Sequence, residues 1–439
     1  MRLLAALPER YRAVLAIPPF RRFALGAIIS SVGDGMSSVA VAWLALEIAA
    51  PGREGLAVGL ALGAFTLPAA IAGTVFGAQA NRLGARRLIL LGSATRGGFL
   101  AVVPVLAWTG ALTLPVYIAL LVGSSLFYTW GIAGRTAMVA GVVDEPLRMP
   151  ANSLLLGQSQ LAMIVGPGAA GLLVHLVDAA TVLALDALTF AGLFLIALTL
   201  PNPSVHGGTA AAVEHVRLWR TVDARLLGLL GVTLTFYLLY GPFEVALPVH
   251  VTDNLAGDAL LYGVLLSCFG VGALVGNIAA GALPRLEPWP MSLVIVVAWG
   301  VAVLVIGLTS VPAVALVAVT LGGLIYGPHP ALITTVIQRG VPAAQLPRVS
   351  AAWASAVVIV TPVGNLIGGP LTARLGPSTA LALSGAATVL LGLLGALWLA
   401  GGALRRARGR LRDAAAPPAD DNSPPAAAGG SPRDRDLGS

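Results

Sequence analysis

Twelve long apolar runs dominate this sequence of 439 residues. They cover residues 23–50, 56–80, 88–108, 112–134, 151–175, 180–200, 226–250, 259–283, 290–310, 312–336, 349–373 and 378–402. Each run is long enough to cross a bilayer as a helix, because a hydrocarbon core of ~30 Å needs ~20 apolar residues. With 57% apolar and 10% charged residues, the chain could not cover a water-soluble globule with polar surface. The sequence therefore predicts an all-α membrane protein with twelve transmembrane helices.

The arginines are concentrated in every second one of the segments that flank these runs. When the termini and loops are counted in chain order, the odd-numbered segments hold 23 arginines and the even-numbered segments hold 2. Arg96 alone lies deep inside a run, and the chain has no lysine. Because positive charge stays on the cytoplasmic side, we expect both termini to be cytoplasmic and the protein to lie in the inner (cytoplasmic) membrane. These loops also explain the net charge of +7, so no nucleic-acid partner is expected.

Two polar stretches and a weak internal repeat organise the chain. We expect an N-terminal cytoplasmic segment, a first six-helix bundle, a cytoplasmic linker, a second six-helix bundle and a disordered cytoplasmic tail, at residues 1–22, 23–200, 201–225, 226–402 and 403–439. Ile-Val-Gly-Pro ending at Pro167 corresponds to Ile-Val-Thr-Pro ending at Pro362, 195 residues later, and Tyr128 corresponds to Tyr326, 198 residues later. Six spans is an even number, so the repeats run parallel and enclose a central cavity.

A basic segment flanked by glycines lies between the second and third runs. Its marked residues are Gly77, Asn81, Arg82, Gly84, Arg86 and Arg87. It resembles the loop signature of the major facilitator superfamily, in which glycines, an Asp-Arg pair and further basic residues form a tight cytoplasmic turn. The resemblance implies a gating loop, in which Gly84 permits the chain reversal while the arginines stay at the headgroups. Asn81 stands where the family has Asp, which weakens the implied charge relay to the other half.

The fifth run contains Gly166, Pro167, Gly168 and Gly171. This pattern resembles the proline motif of drug and proton antiporters within the superfamily, with Ala170 in place of a glycine; an ordinary proline kink would look similar. Proline removes a helix hydrogen bond, and small residues let a neighbouring helix approach closely. We expect the face with the flanking glycines to pack against a helix of the opposite half when the cavity is closed to one side.

Short matches in the first and seventh runs, Val-Gly-Asp ending at Asp34 and Gly-Pro-Phe-Glu ending at Glu244, resemble the enterobactin-exporter and macrolide-efflux branch of this superfamily. The resemblance implies a secondary active transporter. It would export a hydrophobic or amphipathic small molecule, such as a drug, a natural product or a siderophore, in exchange for protons by alternating access.

Ionisable residues inside the runs are the candidates for coupling, because a charge in the bilayer costs at least ~2.5 kcal/mol. Asp34 lies ~16 Å along the first helix and Arg96 ~12 Å along the third, both from the cytoplasmic side, so the two side chains could pair. We predict Asp34 and Glu244 as proton-coupling residues, with Arg96 as a charge partner. Asp186 and His329 are expected to satisfy helix packing.

Aromatic and polar side chains in the spans supply candidates for the substrate cavity. By span assignment these are Gln158, Phe236, Tyr237, Tyr240 and Trp353. Such a cavity favours cationic or neutral amphiphiles through apolar burial and cation–π contact.

Other functions remain open at this stage: a nutrient or metabolite importer (symporter) of the same fold, or a non-transporting membrane receptor. An enzyme is not expected, because HExxH and GxSxG motifs are absent and a chain without lysine has no P-loop lysine. Cys268 is the single cysteine, which excludes intrachain disulfides and cysteine metal sites. We expect no catalytic residue, no cofactor and no metal. The expected partners are a small-molecule substrate, protons and the lipid bilayer, and the expected oligomeric state is a monomer.

Overall fold

A computed structural model of the chain describes residues 8–80, 83–203, 223–282 and 287–415. These residues form fifteen helices and, within the described ranges, no strand. The helices are α1 Glu9–Ala16, α2 Pro18–Glu47, α3 Glu54–Ala80, α4 Ala85–Trp108, α5 Leu114–Ser125, α6 Tyr128–Val142, α7 Glu145–Leu176, α8 Ala179–Leu198, α9 Ala224–Asp253, α10 Ala259–Ala282, α11 Pro288–Leu308, α12 Pro312–Tyr326, α13 His329–Gly340, α14 Leu346–Leu375 and α15 Pro377–Ala415.

Twelve helical segments in the described ranges are long and apolar enough to span a membrane. Ten of them are single helices, and two are pairs of helices in series, α5 with α6 and α12 with α13. The predicted all-α fold with twelve spans is confirmed, and the protein is a multi-pass membrane protein. The boundaries shift by several residues: α2 begins at Pro18, before the apolar run, because helix geometry continues into the polar flank.

Local sequence explains where many of these helices start. Proline occupies the first or second position of α2, α5, α7, α11, α12, α13 and α14, where its missing N–H has no helical partner to lose. Asp178 caps α8 by accepting a hydrogen bond from the Thr181 N–H at 2.6 Å. Gly376 has a φ of +79° in the one-residue junction between α14 and α15, a backbone region that favours glycine.

The fourth and tenth spans are interrupted at equivalent places. The second helix of each pair begins at Tyr128 and at His329, and the following spans begin at Glu145 and Leu346. Both pairs are separated by 201 residues. The equal spacing supports the parallel repeat, with a register a few residues longer than the sequence matches indicate.

The compact body of the molecule covers residues 1–396, and residues 397–439 form a second unit. Within the second unit the helix α15 continues to Ala415, beyond the predicted end of the last apolar run. The predicted disorder of the tail from residue 403 stays a prediction. Residues 416–439 and most of the predicted linker, 204–222, lie outside the described residues, so the predicted domain boundaries stay a prediction.

Within the body, extensive packing between its own helices stabilises each bundle. In the first bundle α2 packs on α7 and α8, and α4 packs on α6 and α8; in the second, α9 packs on α14 and α10 on α12. The bundles meet mainly through two helix pairs, α3 with α14 and α7 with α10, with smaller contacts of α9 on α2 and α3 and of α10 on α2. Such contacts in membranes depend on small residues that let backbones approach closely.

The contacts between the bundles concentrate at one end of the molecule. We call the end at which α2 begins the N-terminal side, and the other end the opposite side. A Cβ atom on Gly59 of α3 would lie 2.7 Å from the Cα of Gly369 on α14, and a Cβ on Gly171 of α7 would lie 3.0 Å from the Cα of Gly263 on α10. Both contacts lie toward the opposite side, so the bundles are closed against each other there.

Candidate functional site

A central cavity of about 720 Å³ lies between the two bundles. Its walls come from α2, α3, α6 and α7 of the first bundle and from α9 and α10 of the second. The lining begins at Phe23 and Asn152, near the N-terminal side, and extends to Leu247 and Tyr262, toward the closed side. This volume falls within the range of ~300 to 1,000 Å³ that is typical of small-molecule sites.

Most of the cavity wall is apolar or aromatic. Tyr128, Tyr240, Phe243, Tyr262 and Phe269 contribute rings to the lining. The rings of Tyr240 and Phe243 lie 5.4 Å apart, so neighbouring ring faces form a continuous surface. Such a wall favours flat apolar or cationic groups over strongly polar ones.

Asp34 lies in the cavity wall and pairs with Arg96 of α4. The Arg96 Nη2 atom is 2.9 Å from Asp34 Oδ1, and the exposed fractions of the two side chains are 4% and 19%. Among the described groups, neither Asp34 Oδ1 nor Arg96 Nε has a partner with hydrogen-bond geometry. Electrostatic attraction between the two charged side chains therefore stabilises the pair. The ion pair predicted from the sequence is present, and its carboxylate side is the one that reaches the cavity.

Three aromatic rings enclose the Arg96 guanidinium. Its Cζ atom lies 4.4 Å from the ring centroids of Phe65 and Tyr128 and 5.4 Å from that of Phe190. These rings belong to α3, α6 and α8. The negative ring faces compensate part of the charge that has left water, which stabilises a buried guanidinium in the apolar bundle.

Asp186 of α8 belongs to the same cluster, although the sequence indicated only a packing role. Its side chain is fully buried, accepts a hydrogen bond from the Ser37 hydroxyl, and interacts electrostatically with Asp34 and Arg96. A Cβ atom on Gly33 would overlap its carboxylate. The sequence missed this neighbour because residue spacing does not reveal which face of α8 meets α2; the glycine beside Asp34 was the available signal.

Arg135 is a second cationic residue that the sequence did not assign to the cavity. It lines the cavity wall, and its Nη2 atom donates a hydrogen bond to Ser30 Oγ at 3.0 Å. The apolar run ends at residue 134, but α6 continues to Val142 and carries Arg135 on its inner face.

Glu244 lines the cavity from the second bundle. Asn365 of α14, Tyr240 and Tyr262 are its polar neighbours. In the described part of the chain, Glu244 forms no ion pair with a basic side chain. The cavity thus has one carboxylate paired with arginine and one without a cationic partner, on facing bundles.

Of the predicted lining residues, Gln158 and Tyr240 are in the cavity wall. Phe236 is instead fully buried, and Tyr237 packs against it at 5.6 Å between ring centroids. Trp353 is also outside the lining. The prediction was wrong for these three residues because it used only the span, and a helix presents about half of its side chains to other neighbours.

His329 is fully buried at the start of α13. The rings of Phe236, Tyr237 and Tyr326 surround it, with centroid distances of 5.1, 6.0 and 6.1 Å. Neither of its ring nitrogens has a hydrogen-bond partner among the described groups. The packing role of His329 therefore stays a prediction.

The predicted gating loop is described in part. Asn81 and Arg82 lie outside the described residues, Gly77 is inside α3, and Arg87 is exposed. The Arg86 N–H donates to Asn202 Oδ1 at 3.2 Å, so the segment after α8 caps the beginning of α4.

Gly84 directly precedes this capped helix. A Cβ atom on Gly84 would overlap the Asn202 side chain, and the neighbouring Ala85 N–H donates to the Pro203 carbonyl at 3.2 Å. Gly84 has an ordinary extended φ of −68°, so close approach to the segment after α8, and not a left-handed turn, is the reason for glycine here.

The glycines of the proline motif face two different helices. A Cβ on Gly166 would lie 2.7 Å from the Cα of Gly35 on α2, so this glycine packs within its own bundle. The prediction that Gly166 faces the opposite half is therefore wrong. Gly168 and Gly171 do face α10 of the second bundle, where the nearest group to a Cβ on Gly168 is Ser267 Oγ at 2.8 Å. A helix turns 100° per residue, so neighbours in the motif point to different partners.

Ser267 also forms a hydrogen bond across the bundles. Its hydroxyl donates to the Ile164 carbonyl at 2.6 Å, one turn before the Pro167 kink. Side chains of neighbouring helices commonly provide hydrogen bonds to the backbone groups that a transmembrane proline leaves without a partner.

A second polar contact between the bundles lies nearer the opposite side. His175 Nδ1 lies 2.5 Å from Asp258 Oδ2 and links α7 to the start of α10. In the described ranges, no cluster of three His, Cys, Asp or Glu residues could hold a metal ion.

Comparisons with a family model and with individual known proteins agree with each other. The family model of the Major Facilitator Superfamily matches residues 23–243 and 226–432. The multidrug efflux pump Tap of Mycobacterium tuberculosis is 29% identical over 365 residues, which cover 79% of this chain and 85% of Tap. The enterobactin exporter EntS of Citrobacter koseri is 26% identical over 392 residues, covering 86% of this chain and 91% of EntS.

Solved structures with the same fold share little sequence. The nucleoside transporter NupG superposes with a TM-score of 0.65 at 13% identity, covering 86% of this chain and 98% of NupG. The peptide transporter POT in complex with sulfate gives a TM-score of 0.67 at 13% identity, covering 88% and 97%. These likenesses confirm the twelve-helix fold of two six-helix bundles.

Proposed function

This chain belongs to the Major Facilitator Superfamily, and we propose that it is a secondary transporter that exports a hydrophobic or amphipathic small molecule in exchange for protons. One observation carries the proposal. A cavity of drug size is enclosed by both bundles and contains a carboxylate from each of them, Asp34 and Glu244. The relation to an efflux pump and to a siderophore exporter supports the outward direction.

The chemistry of the wall defines the proposed substrate class. Aromatic faces and an unpaired carboxylate at Glu244 favour a lipophilic cation, and the remaining apolar surface also accepts neutral amphiphiles. Arg135 lies on the facing bundle and disfavours a second positive charge there. We therefore expect monovalent cations such as ethidium to bind better than small hydrophilic nutrients.

The asymmetric closure of the bundles supports a mechanism of alternating access. They touch on the opposite side and form an accessible cavity toward the N-terminal side. The partition of arginines indicates that the N-terminal side is cytoplasmic, so this arrangement is the inward-facing state that loads substrate from the cytoplasm. A periplasm-active reporter fused after Gly402 should then give no signal, and activity there would overturn the topology.

Proton coupling is proposed through Asp34. A proton on this carboxylate would neutralise it and remove its attraction for Arg96, so proton binding changes a contact between α2 and α4 at the cavity wall. Differential affinity for the proton in the inward- and outward-facing states is what lets a pH gradient drive the cycle. Glu244 is the second candidate, because a bound cation and a proton would compete for its carboxylate.

Inside-out membrane vesicles with an imposed pH gradient test this proposal. Wild-type protein should accumulate ethidium when the vesicle interior is acidic, and Asp34→Asn should reduce that accumulation to the level of vesicles without the protein. Asp144→Asn is the matched control, because this exposed carboxylate precedes α7 without a side-chain capping bond. Unimpaired accumulation by Asp34→Asn would move coupling to Glu244, and accumulation driven only by the reverse gradient would indicate an importer.

A further inference from the structure

Asp186 is a buried carboxylate that the transport scheme above does not use. It lies on α8 and is fully buried, whereas Asp34 on α2 is 19% exposed and lines the cavity. Because a Cβ on Gly33 would overlap the Asp186 carboxylate, Asp186 lies directly behind the stretch of α2 that carries Asp34. The two carboxylates therefore belong to one polar cluster, in which Asp34 faces the cavity and Asp186 lies behind it, away from the cavity.

The Arg96 guanidinium attracts two carboxylates in this cluster: it pairs with Asp34 and acts on Asp186 from a greater distance. The charged groups that act on Asp186 are Asp34 of α2 and Arg96 of α4, and Tyr128 of α6 is the further titratable neighbour of the cluster. Arg135, the other cation nearby, hydrogen-bonds to a serine of α2 at the cavity wall. If both carboxylates were ionised, the cluster would keep one uncompensated negative charge away from water. Such a charge is costly, and binding one proton removes it.

The hydrogen bonds around Asp186 provide a position for that proton. The Thr189 hydroxyl lies 2.7 Å from the Asp186 backbone carbonyl and 3.0 Å from Asp186 Oδ1. A hydroxyl has one hydrogen to donate, and the backbone carbonyl is the nearer acceptor. Thr189 Oγ1 can then accept from a protonated Oδ1, while the Ser37 hydroxyl donates to Oδ2.

We propose that Asp186 stores the transported proton and exchanges it with Asp34, a role that rests on the proposed proton-driven export. With the proton on Asp186, Asp34 is ionised and paired with Arg96, which is the arrangement described above. When the proton moves to Asp34, the O–H bond on Asp186 breaks and an O–H bond on Asp34 forms. Arg96 then transfers its ion pair to Asp186. During this exchange the cluster keeps one proton and no net charge. The transported proton enters and leaves by way of Asp34, the carboxylate that faces the cavity, and the cluster carries one negative charge while that proton is absent.

Asp186→Asn tests the transport side of this inference. The amide keeps the size of the side chain and can still accept from Ser37 and donate to Thr189, but it carries no exchangeable carboxyl proton. We expect loss of uphill ethidium accumulation in inside-out vesicles with normal expression and thermal stability. Asp178→Asn is the matched control on the same helix, because asparagine also caps helices well, and it should transport like the wild type.

Infrared spectroscopy of the purified protein in nanodiscs at neutral pH tests the shared proton directly. The wild type should show the C=O absorption of a protonated carboxyl that Asp186→Asn lacks and Asp178→Asn retains. Asp34→Asn should lack it as well, because Arg96 then balances Asp186 alone. An absorption unchanged in Asp186→Asn would make Asp186 an ionised structural acceptor. One that persists in Asp34→Asn would exclude exchange between the two residues.

Two further outcomes keep the inference separate from the proposed function. If the wild type shows no pH-driven transport but the infrared results hold, the export proposal fails while the shared proton stands. If Asp186→Asn does not fold, Thr189→Val removes the hydroxyl 3.0 Å from Asp186 Oδ1 that would accept from the protonated carboxyl. The carboxyl absorption should then shift to higher frequency, and an unmoved absorption would overturn the assignment of the proton to Asp186.

Discussion

Gly171→Val should open the closed side of the transporter. A Cβ on Gly171 already lies 3.0 Å from the Cα of Gly263, so the added carbons of valine have no space while α7 and α10 remain in contact. Overpacking typically costs ~1 to 3 kcal/mol, and this contact exists only when the opposite side is closed. The ratio of closed to open molecules should therefore fall by about 5- to 150-fold.

Electron spin resonance distances between labels at residues 177 and 254 measure this shift in a Cys268→Ser background. Both labels would lie on the opposite side, one on each bundle. Gly192→Val is the first control, because a Cβ at Gly192 meets nothing within 4 Å and the β-branched side chain carries the same helix cost. Gly166→Val is the second control, and it should lower thermal stability without lengthening the distance, since Gly166 packs within its own bundle. A Gly171→Val distance distribution identical to that of the wild type would refute the reasoning.

Two further predictions concern polar contacts across the bundles. Ser267→Ala removes the 2.6 Å hydrogen bond to the Ile164 carbonyl. Thermal unfolding in detergent should show a free energy of unfolding lower by about 0.6 kcal/mol, and by at most about 1.7 kcal/mol. An unchanged free energy of unfolding would mean that the carbonyl finds another donor. His175 and Asp258 are each 49% exposed, so a double-mutant cycle should give a coupling of only about 0.2 to 1 kcal/mol. Burial raises the pKa of Asp258, but the Leu261 N–H and His175 outweigh it and bring the pKa below the ordinary value. A lowered folded-state pKa contributes stability above the ordinary carboxyl pKa of about 3.9 and loses it as pH falls through the folded value. Coupling that disappears already near about pH 5 would contradict this.

The twelve spans and the Asp34–Arg96 pair could be read from the sequence because both depend on position along a helix. Hydropathy locates each span in the chain, and a rise of 1.5 Å per residue locates a charge by depth. Two opposite charges at similar depth in one bundle then have a strong reason to meet, since each is costly alone. The ion pair at 2.9 Å agrees with that argument.

The remaining features depend on rotation about the helix axis and on which helices are neighbours. Phe236 and Gly166 were assigned to the correct spans, but one faces an aromatic cluster and the other faces Gly35 in its own bundle. Asp186 was read as a packing residue because the contact between α8 and α2 is not encoded in local spacing. Arg135 was counted with a loop because charge ends an apolar run before it ends the helix. Membrane helices lack a polar outer face that would reveal their orientation, so these errors share one physical origin.

The central claim, exchange of substrate for protons, is tested most directly by driving protons with substrate alone. Proteoliposomes without a pH gradient would be loaded with ethidium and diluted, and the internal pH would be followed with a trapped dye. The account predicts that ethidium leaving the liposomes drives protons inward and acidifies the interior, and that Asp34→Asn abolishes this signal. Alkalinisation of the interior as ethidium leaves, or no proton movement during efflux, would contradict the account.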